Sequence, residues 1–189
     1  YRSHELQYVL EQAGVRMLVS ASAFKTSDYA QMIETVRANC PDLEDVVLLG
    51  SPRWDELVEV GRAALADDRR VLTEAQSQLS PDDPINIQYT SGTTGFPKGA
   101  TLSHHNVLNN GFFVGELCHY TELDRVCIPV PLYHCFGMTM GNLACTSHGA
   151  TMVLPSPAFD PAATLTAVAE ERCTSLYGVP TMFIAALAE

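Results

Sequence analysis

The residues best equipped for chemistry stand in one stretch, Tyr89-Thr90-Ser91-Gly92-Thr93-Thr94-Gly95-Phe96-Pro97-Lys98-Gly99. Glycine lets backbone N–H groups approach an anion closely, and a run of such groups forms an anion-binding concavity. The hydroxyls of Ser91, Thr93 and Thr94 add neutral donors, and Lys98 adds a mobile positive charge. That mix suits the gripping of phosphate. The P-loop pattern G-x-x-x-x-G-K-[ST] fails, because Lys98 follows Pro97 and precedes Gly99. The dinucleotide fingerprint G-x-G-x-x-G fails as well, since Gly92 is followed by Thr93-Thr94-Gly95. The plain alternative is a Gly/Thr-rich surface turn without a ligand.

A second constellation is Pro131-Leu132-Tyr133-His134-Cys135-Phe136-Gly137, placed between an expected strand and an expected helix. In an open α/β sheet the crevice at the carboxyl ends of the strands is where ligands bind. His134 there either meets a substrate or packs at a helix start, satisfied by backbone. A third is Ser175-Leu176-Tyr177-Gly178-Val179-Pro180, for which a core strand followed by a proline-started helix is an adequate account. His104 and His105 read as helix N-terminal residues and His148 as a turn residue. Cys135 adjoins His134 in sequence, but chain neighbours rarely form a nucleophile–base pair. No G-x-S-x-G elbow exists, which removes the commonest hydrolase reading.

The elements that must carry these residues follow from periodicity. Leu6, Val9, Leu10 and Ala13 give an amphipathic helix closed by Gly14, and Arg16 to Val19 a short buried strand. Tyr29, Met32, Ile33 and Val36 recur at helical spacing up to Cys40-Pro41, and Val46 to Leu49 is another buried strand. A helix from about Trp54 to Ala66 follows, and residues 67–84 read as a polar linker. Helices and strands in this alternation argue for parallel strands with crossover helices. Ile85-Asn86-Ile87-Gln88-Tyr89 alternates as a strand, and the loop then leads to a helix capped by Ser103 that runs from His104 to Gly115. Further strands are expected over 125–130, 149–154 and 175–178. Helices are expected over 137–146, from Pro161 behind an Asp160 cap to Arg172, and from Thr181 to Ala188. The fold class is α/β, with layered, mostly parallel sheets and crossover helices. Two regions are expected. Residues 1–80 form a partial α/β subdomain ending in the linker, and 81–189 a phosphate-loop subdomain truncated at its C-terminal end.

Composition narrows the partners. Among 189 residues 22 are acidic and 11 basic, a net charge of −11 that argues against a nucleic-acid partner. With 47% hydrophobic and 17% charged residues the chain reads as a globular protein. No apolar run reaches the ~18 residues of a membrane span. Six cysteines are scattered without a C-x-x-C pair, so free thiols in a reducing compartment are the default. The first residue is Tyr1 and the last stands inside a helical pattern, so the chain reads as a segment of a larger protein.

The string YTSGTTGFPKG resembles the signature loop of the AMP-forming adenylating enzymes, which include acyl-CoA synthetases, firefly-type luciferases and peptide-synthetase adenylation domains. That family also carries a P-x-x-H-x-x-G motif at the same distance downstream. DDPINIQYTSGTTGFPKGATLSHHNVLNN, PLYHCFGM and ERCTSLYGVPTMF together are similar to the medium-chain fatty acyl-CoA synthetase branch. The resemblance covers essentially the whole chain and places it inside the large N-terminal domain of such enzymes.

The resemblance implies a two-step reaction. A fatty acid carboxylate attacks the α-phosphate of Mg-ATP, giving acyl-adenylate and pyrophosphate, and coenzyme A then displaces AMP. It implies that Thr90, Ser91, Gly92, Thr93, Thr94, Gly95, Phe96, Pro97 and Lys98 bind the nucleotide phosphates, with Thr93 on Mg2+. It implies that His134 lies near the carboxylate under attack and that Tyr177 and Gly178 wall the acyl pocket. His134 and Lys98 are the catalytic candidates. The family's Tyr-Gly-x-Thr-Glu adenine motif, ribose aspartate, hinge and C-terminal lysine are expected beyond Glu189, which makes the isolated segment inactive. Fatty acid, ATP and CoA are the expected partners, with a homodimer left open. The expected compartment is the cytoplasm, or the mitochondrial matrix in a eukaryote. A carrier-loading acyl-AMP ligase and a non-catalytic nucleotide-binding module are the rival readings.

Overall fold

Pairs of parallel strands, each joined through a helix, organise the chain on both sides of the glycine-rich loop. The computed structural model describes residues 2–90 and 97–189; Tyr1 and residues 91–96 lie outside the description. The chain divides into one unit of residues 1–80 and 86–101 and another of residues 81–85 and 102–189.

In the first unit α1 (Ser3–Gln12) ends at Gly14, whose φ of +58° is a conformation that glycine adopts without strain. β1 (Met17–Ser20) pairs in parallel with β4 (Asp45–Leu48), Met17 standing opposite Asp45. Between them lie a small antiparallel pair, β2 (Ala23–Phe24) and β3 (Ser27–Asp28), and α2 (Tyr29–Arg37). The Asp28 carboxylate caps α2 by accepting the Gln31 N–H at 2.9 Å. Leu10, Val36, Cys40 and Leu43 make the core, with Leu6, Leu18 and Val46 against it. The expectation of two buried strands holds for one face only. Leu18 packs inward, while Met17 and Val19 on the alternate face are each 46% exposed.

α3 (Pro52–Asp67) starts earlier than expected, because the Ser51 hydroxyl accepts the Trp54 N–H and proline fits the first helical position. The linker reading of residues 67–84 is overturned in part by α4 (Arg70–Ser77). Asp68 accepts the Arg70 N–H at 2.9 Å, and the eight residues of the helix contain neither glycine nor proline. A polar segment free of breakers can be an exposed helix, and here no residue of α3 or α4 is buried. β5 (Pro84–Thr90) pairs with β6 (Lys98–Ser103), a strand absent from the expectation that the loop runs directly into a helix. Gly99 weakens the strand pattern of β6, yet a Cβ there would meet Ile87 Cγ2 at 2.8 Å and the Tyr89 ring at 3.2 Å. The close crossing of two β5 side chains over Gly99 favours glycine at this point of the pairing.

In the second unit α5 (His104–Cys118) carries the expected Ser103 cap, with Asn106 returning the hydrogen bond to the Ser103 N–H. The His104 and His105 N–H groups donate to the Asp83 and Pro81 carbonyls, so both are helix N-terminal residues as expected. β7 (Arg125–Cys127) is the centre of a parallel sheet between β8 (Thr151–Val153) and β9 (Ser175–Leu176). α7 (Pro161–Glu170) has its Asp160 cap, and α8 (Pro180–Ala186) opens on proline. Val126, Ile128, Val130, Ala144 and Cys145 are buried at the centre of the core. Burial pushes the Cys127 and Cys145 thiols up to about 11.

The helix expected over 137–146 is two kinds of helix. A π-helix spans Phe136–Leu143, and α6 (Ala144–His148) continues it. Periodicity in so short a glycine-containing segment does not separate the wider turn from the α form. His148 is likewise not a turn residue. It ends α6 with its side chain 9% exposed, Nε2 3.1 Å from Glu116 Oε1, Nδ1 3.0 Å from the Ala144 carbonyl and its ring stacked on Phe112.

That ring occupies the space a side chain at position 115 would need, since a Cβ on Gly115 would lie 2.3 Å from His148 Nδ1. Gly115→Ala is expected to destabilise the protein through overpacking, typically about 1–3 kcal/mol, against about 1 kcal/mol gained in helix propensity. Added to His148→Ala, the same methyl should be tolerated. Urea unfolding of the four members of this cycle should give a coupling of about 1–3 kcal/mol; additive effects would show that the two residues do not meet.

The loop into β7 is held by Asp124, whose carboxylate accepts the Thr174 hydroxyl at 2.7 Å, the Thr121 N–H at 2.8 Å and the Thr121 hydroxyl at 3.0 Å. The Thr174 bond first, then those from Thr121, hold this carboxyl below the usual range. A depressed folded-state value means the stabilisation is present above the unfolded value of about 3.9 and is lost as pH falls through the folded one. Asp124→Asn should therefore lower Tm at neutral pH and flatten the decline of Tm below about pH 4. An unchanged acid limb would remove Asp124 from the account.

Candidate active site

In the first unit β5 brings Thr90 to its end, and the chain returns through Pro97 into β6, which begins at Lys98. Ser91, Gly92, Thr93, Thr94, Gly95 and Phe96 lie outside the described residues. The base of the loop is drawn together by a long hydrogen bond, 3.5 Å, from the Thr90 hydroxyl to the Lys98 carbonyl. β5 is anchored from the side by the Tyr89 hydroxyl, which donates to Gln12 Oε1 at 2.9 Å. Lys98 is exposed and forms no ion pair among the described residues. An ammonium with no ion pair among the described residues suits a polyanion, and a hydroxyl oxygen such as that of Thr90 is the kind of ligand that Mg2+, a hard cation, takes.

In the second unit β7 leads through the buried Ile128, Pro129 and Val130 to the exposed Pro131–His134 turn. Three hydrogen bonds shape it. The His134 N–H donates to the Pro131 carbonyl at 3.2 Å, the Met138 N–H to the His134 carbonyl at 2.9 Å, and the Phe136 N–H to His134 Nδ1 at 3.1 Å. The other ring nitrogen of His134 has no hydrogen-bond partner among the described residues, and the residue is exposed. Gly137 lets the turn close. A Cβ there would stand 2.4 Å from the Pro131 carbonyl oxygen.

Tyr177 continues β9, its N–H donating to the Cys127 carbonyl at 3.0 Å. Its ring packs against the core and meets Phe136 edge-on, with centroids 5.5 Å apart. The hydroxyl is buried without a hydrogen-bond partner among the described residues, while that of neighbouring Tyr120 pairs with Ser175 Oγ at 2.7 Å. Burial, with Tyr120 beside it, pushes the Tyr177 phenol well above its ordinary value. A Cβ on Gly178 would touch the Phe183 ring at 3.1 Å. Phe136 thus links His134 and Tyr177: its backbone holds the imidazole and its ring meets the phenol. Sequence reasoning missed it, because an apolar residue at the start of a helix carries no signal of a backbone contact.

Parallel strands with crossover helices, a glycine-rich loop between paired strands and a histidine past a strand end define the α/β fold of the N-terminal domain of adenylate-forming enzymes. The model of the family described as "AMP-binding enzyme" matches residues 1–189, and the chain belongs to that family. It is 39% identical over 206 residues to the putative acyl-CoA synthetase YngI of Bacillus subtilis, covering 99% of this chain and 37% of that one. It is 40% identical to the human mitochondrial medium-chain acyl-CoA ligase ACSF2, covering 97% and 33%. Among solved structures it resembles ATP-bound MatB from Rhodopseudomonas palustris, with a TM-score of 0.71 and 29% identity over all of this chain and 34% of that one. The chain spans about a third of the length of the curated relatives it matches. No helix among the described residues is long and apolar enough to cross a membrane.

Proposed function

We propose that the protein is a fatty acid–CoA ligase that makes an acyl-adenylate from ATP and a medium-chain acid and passes the acyl group to coenzyme A. The observation that carries this is the unbroken string from Tyr89 to Gly99 inside a chain that matches the AMP-binding enzyme family from end to end. The names of YngI and ACSF2 support the acyl-CoA product, and that of ACSF2 the medium chain length.

In this reading Ser91, Gly92, Thr93, Thr94, Gly95 and Lys98 grip the β- and γ-phosphates, with Thr90, Phe96 and Pro97 completing the loop. The first step brings a carboxylate to a polyphosphate, so the site must neutralise charge and hold the reactants in line. A carboxylate oxygen forms a bond to the α-phosphorus while the bond to pyrophosphate breaks; the thiolate sulfur of CoA then bonds to the acyl carbon, and AMP leaves. Mg2+, when bound through Thr93, supplies charge neutralisation on the phosphate oxygens. His134 meets the acyl carboxylate, and Tyr177 and Gly178 form one wall of the acyl pocket.

ATP–pyrophosphate exchange by the full-length protein, over acids from acetate to palmitate and then with CoA added, tests the proposal. Exchange peaking at middle chain lengths, with acyl-CoA appearing on addition of CoA, is the expected result. Exchange without acyl-CoA would assign a carrier-loading ligase instead. No exchange with any acid would leave a non-catalytic binding module. The chain-length optimum should be shallow, because an apolar pocket discriminates by only about 1–3 kcal/mol per methylene.

A further inference from the structure

We propose that the Phe136 backbone N–H locks His134 in its Nε2–H tautomer, so that His134 serves the site as a hydrogen-bond donor and not as a base. The target assigned to that donor rests on the ligase reading; the tautomer does not. A backbone N–H can only donate, so the ring atom 3.1 Å from Phe136 N must present a lone pair. In a neutral imidazole with Nδ1 as acceptor, the proton is on Nε2.

The contact is built into the turn. Phe136 opens the π-helix, so its N–H is one of the donors that a helix start leaves without an internal partner. No side-chain cap comes from Cys135, and the imidazole of His134 fills that role from one residue further back. The backbone of His134 is held on both sides, its N–H by the Pro131 carbonyl and its carbonyl by the Met138 N–H. Ring and main chain are thus tied to one short segment, leaving the Nε2 side of an exposed residue available.

The consequence is chemical. In the adenylating step the nucleophile is already an anion, and no proton has to be removed from it. An Nε2–H pointed at a carboxylate oxygen orients that anion and stays paired as the oxygen becomes part of the mixed anhydride. In the thioester step the same donor can meet the oxyanion that develops on the acyl carbonyl. Its Nε2 side presents a hydrogen and no lone pair to the CoA thiol, and the Nδ1 lone pair is engaged with the Phe136 N–H. The thiol proton must leave by another route.

The test uses the full-length protein labelled with 15N-histidine. Long-range 15N–1H correlation at alkaline pH reads the tautomer directly, and loss of one ring pattern in His134→Asn assigns it. The Nε2–H pattern is expected, and an Nδ1–H pattern would overturn the proposal. Two variants then separate anchoring from donation. Asparagine places an acceptor where Nδ1 stands but no donor at Nε2, whereas glutamine reaches the Nε2 position with an N–H and gives up the cap. His134→Asn should keep the parent's Tm and lose about 10²–10³-fold in pyrophosphate exchange, the usual cost of one oriented donor. His134→Gln should show a lower Tm and retain more exchange than His134→Asn. An asparagine variant as active as the parent overturns the donor role. Absence of exchange in the parent overturns the ligase reading and the donor's target with it, while the ring spectrum still decides the tautomer.

Discussion

Gly137→Ala is expected to be the most damaging single-methyl change in the second unit, at about 3 kcal/mol, the upper end of the usual overpacking range. The added Cβ would meet Pro131 O at 2.4 Å, Pro131 C at 2.7 Å and Leu132 N at 3.0 Å. All three are backbone atoms, so no rotamer change relieves the collision; the 131–137 turn has to open. Opening it breaks the 3.2 Å bond from the His134 N–H to the Pro131 carbonyl and turns the imidazole away from Phe136. Loss of stability and loss of the His134 ring signal should therefore arrive together. Gly61→Ala supplies the control. Gly61 lies inside α3, exposed, and a Cβ at this position would have no neighbour within 4 Å. Alanine there should stabilise by about 1 kcal/mol through helix propensity. Urea midpoints moving in opposite directions for the two variants would support both readings. A Gly137→Ala protein with the parent's midpoint would mean that the turn yields without cost.

The same segment shows where sequence reasoning stopped. Side-chain signals with a local cause were legible: the Ser103 cap, the Asp160–Pro161 helix start and the helical spacing of Ile33 and Val36 all depend on residues within a few positions. The parallel pairing of β1 with β4 was legible for a different reason, because a helix between two apolar runs leaves few other arrangements. What escaped depends on contacts across the chain. β6 exists because Gly99 passes under Ile87 and Tyr89, and no property of Lys98–Ser103 alone announces it. α4 escaped because a polar helix and a polar linker share a composition. The wide turns between Phe136 and Leu143 lie against α5, where a Cβ on Gly111 would meet Leu143 Cβ at 2.5 Å. Of the candidate site, the spacing from Pro131 through His134 to Gly137 was visible in the sequence. The reason for Gly137 was not, because it is a carbonyl six residues back.

Lys98→Ala is expected to act in the opposite sense, removing activity while sparing the fold. Only two lysines occur in the chain, Lys25 and Lys98, within a protein of net charge −11. Such a balance repels a nucleotide polyphosphate at long range, so in the proposed ligase the grip would come from donors and charge placed at the loop. Removing one such group typically lowers turnover by about 10²–10³-fold. Lys98 contributes little to stability: its side chain is exposed and makes no ion pair among the described residues, while its backbone is held by β6 and by the Thr90 hydroxyl. The unfolding free energy of Lys98→Ala should stay within about 0.5 kcal/mol of the parent. Lys98→Arg restores the charge but spreads it over a planar fork, so it should recover part of the exchange activity and not all of it. Raising the salt concentration screens the general repulsion and should leave the gap between alanine and parent in place, because a contact at the phosphate is local. Exchange by Lys98→Ala at the parent's rate would take Lys98 out of the phosphate grip and leave the loop's backbone and hydroxyl groups to act alone.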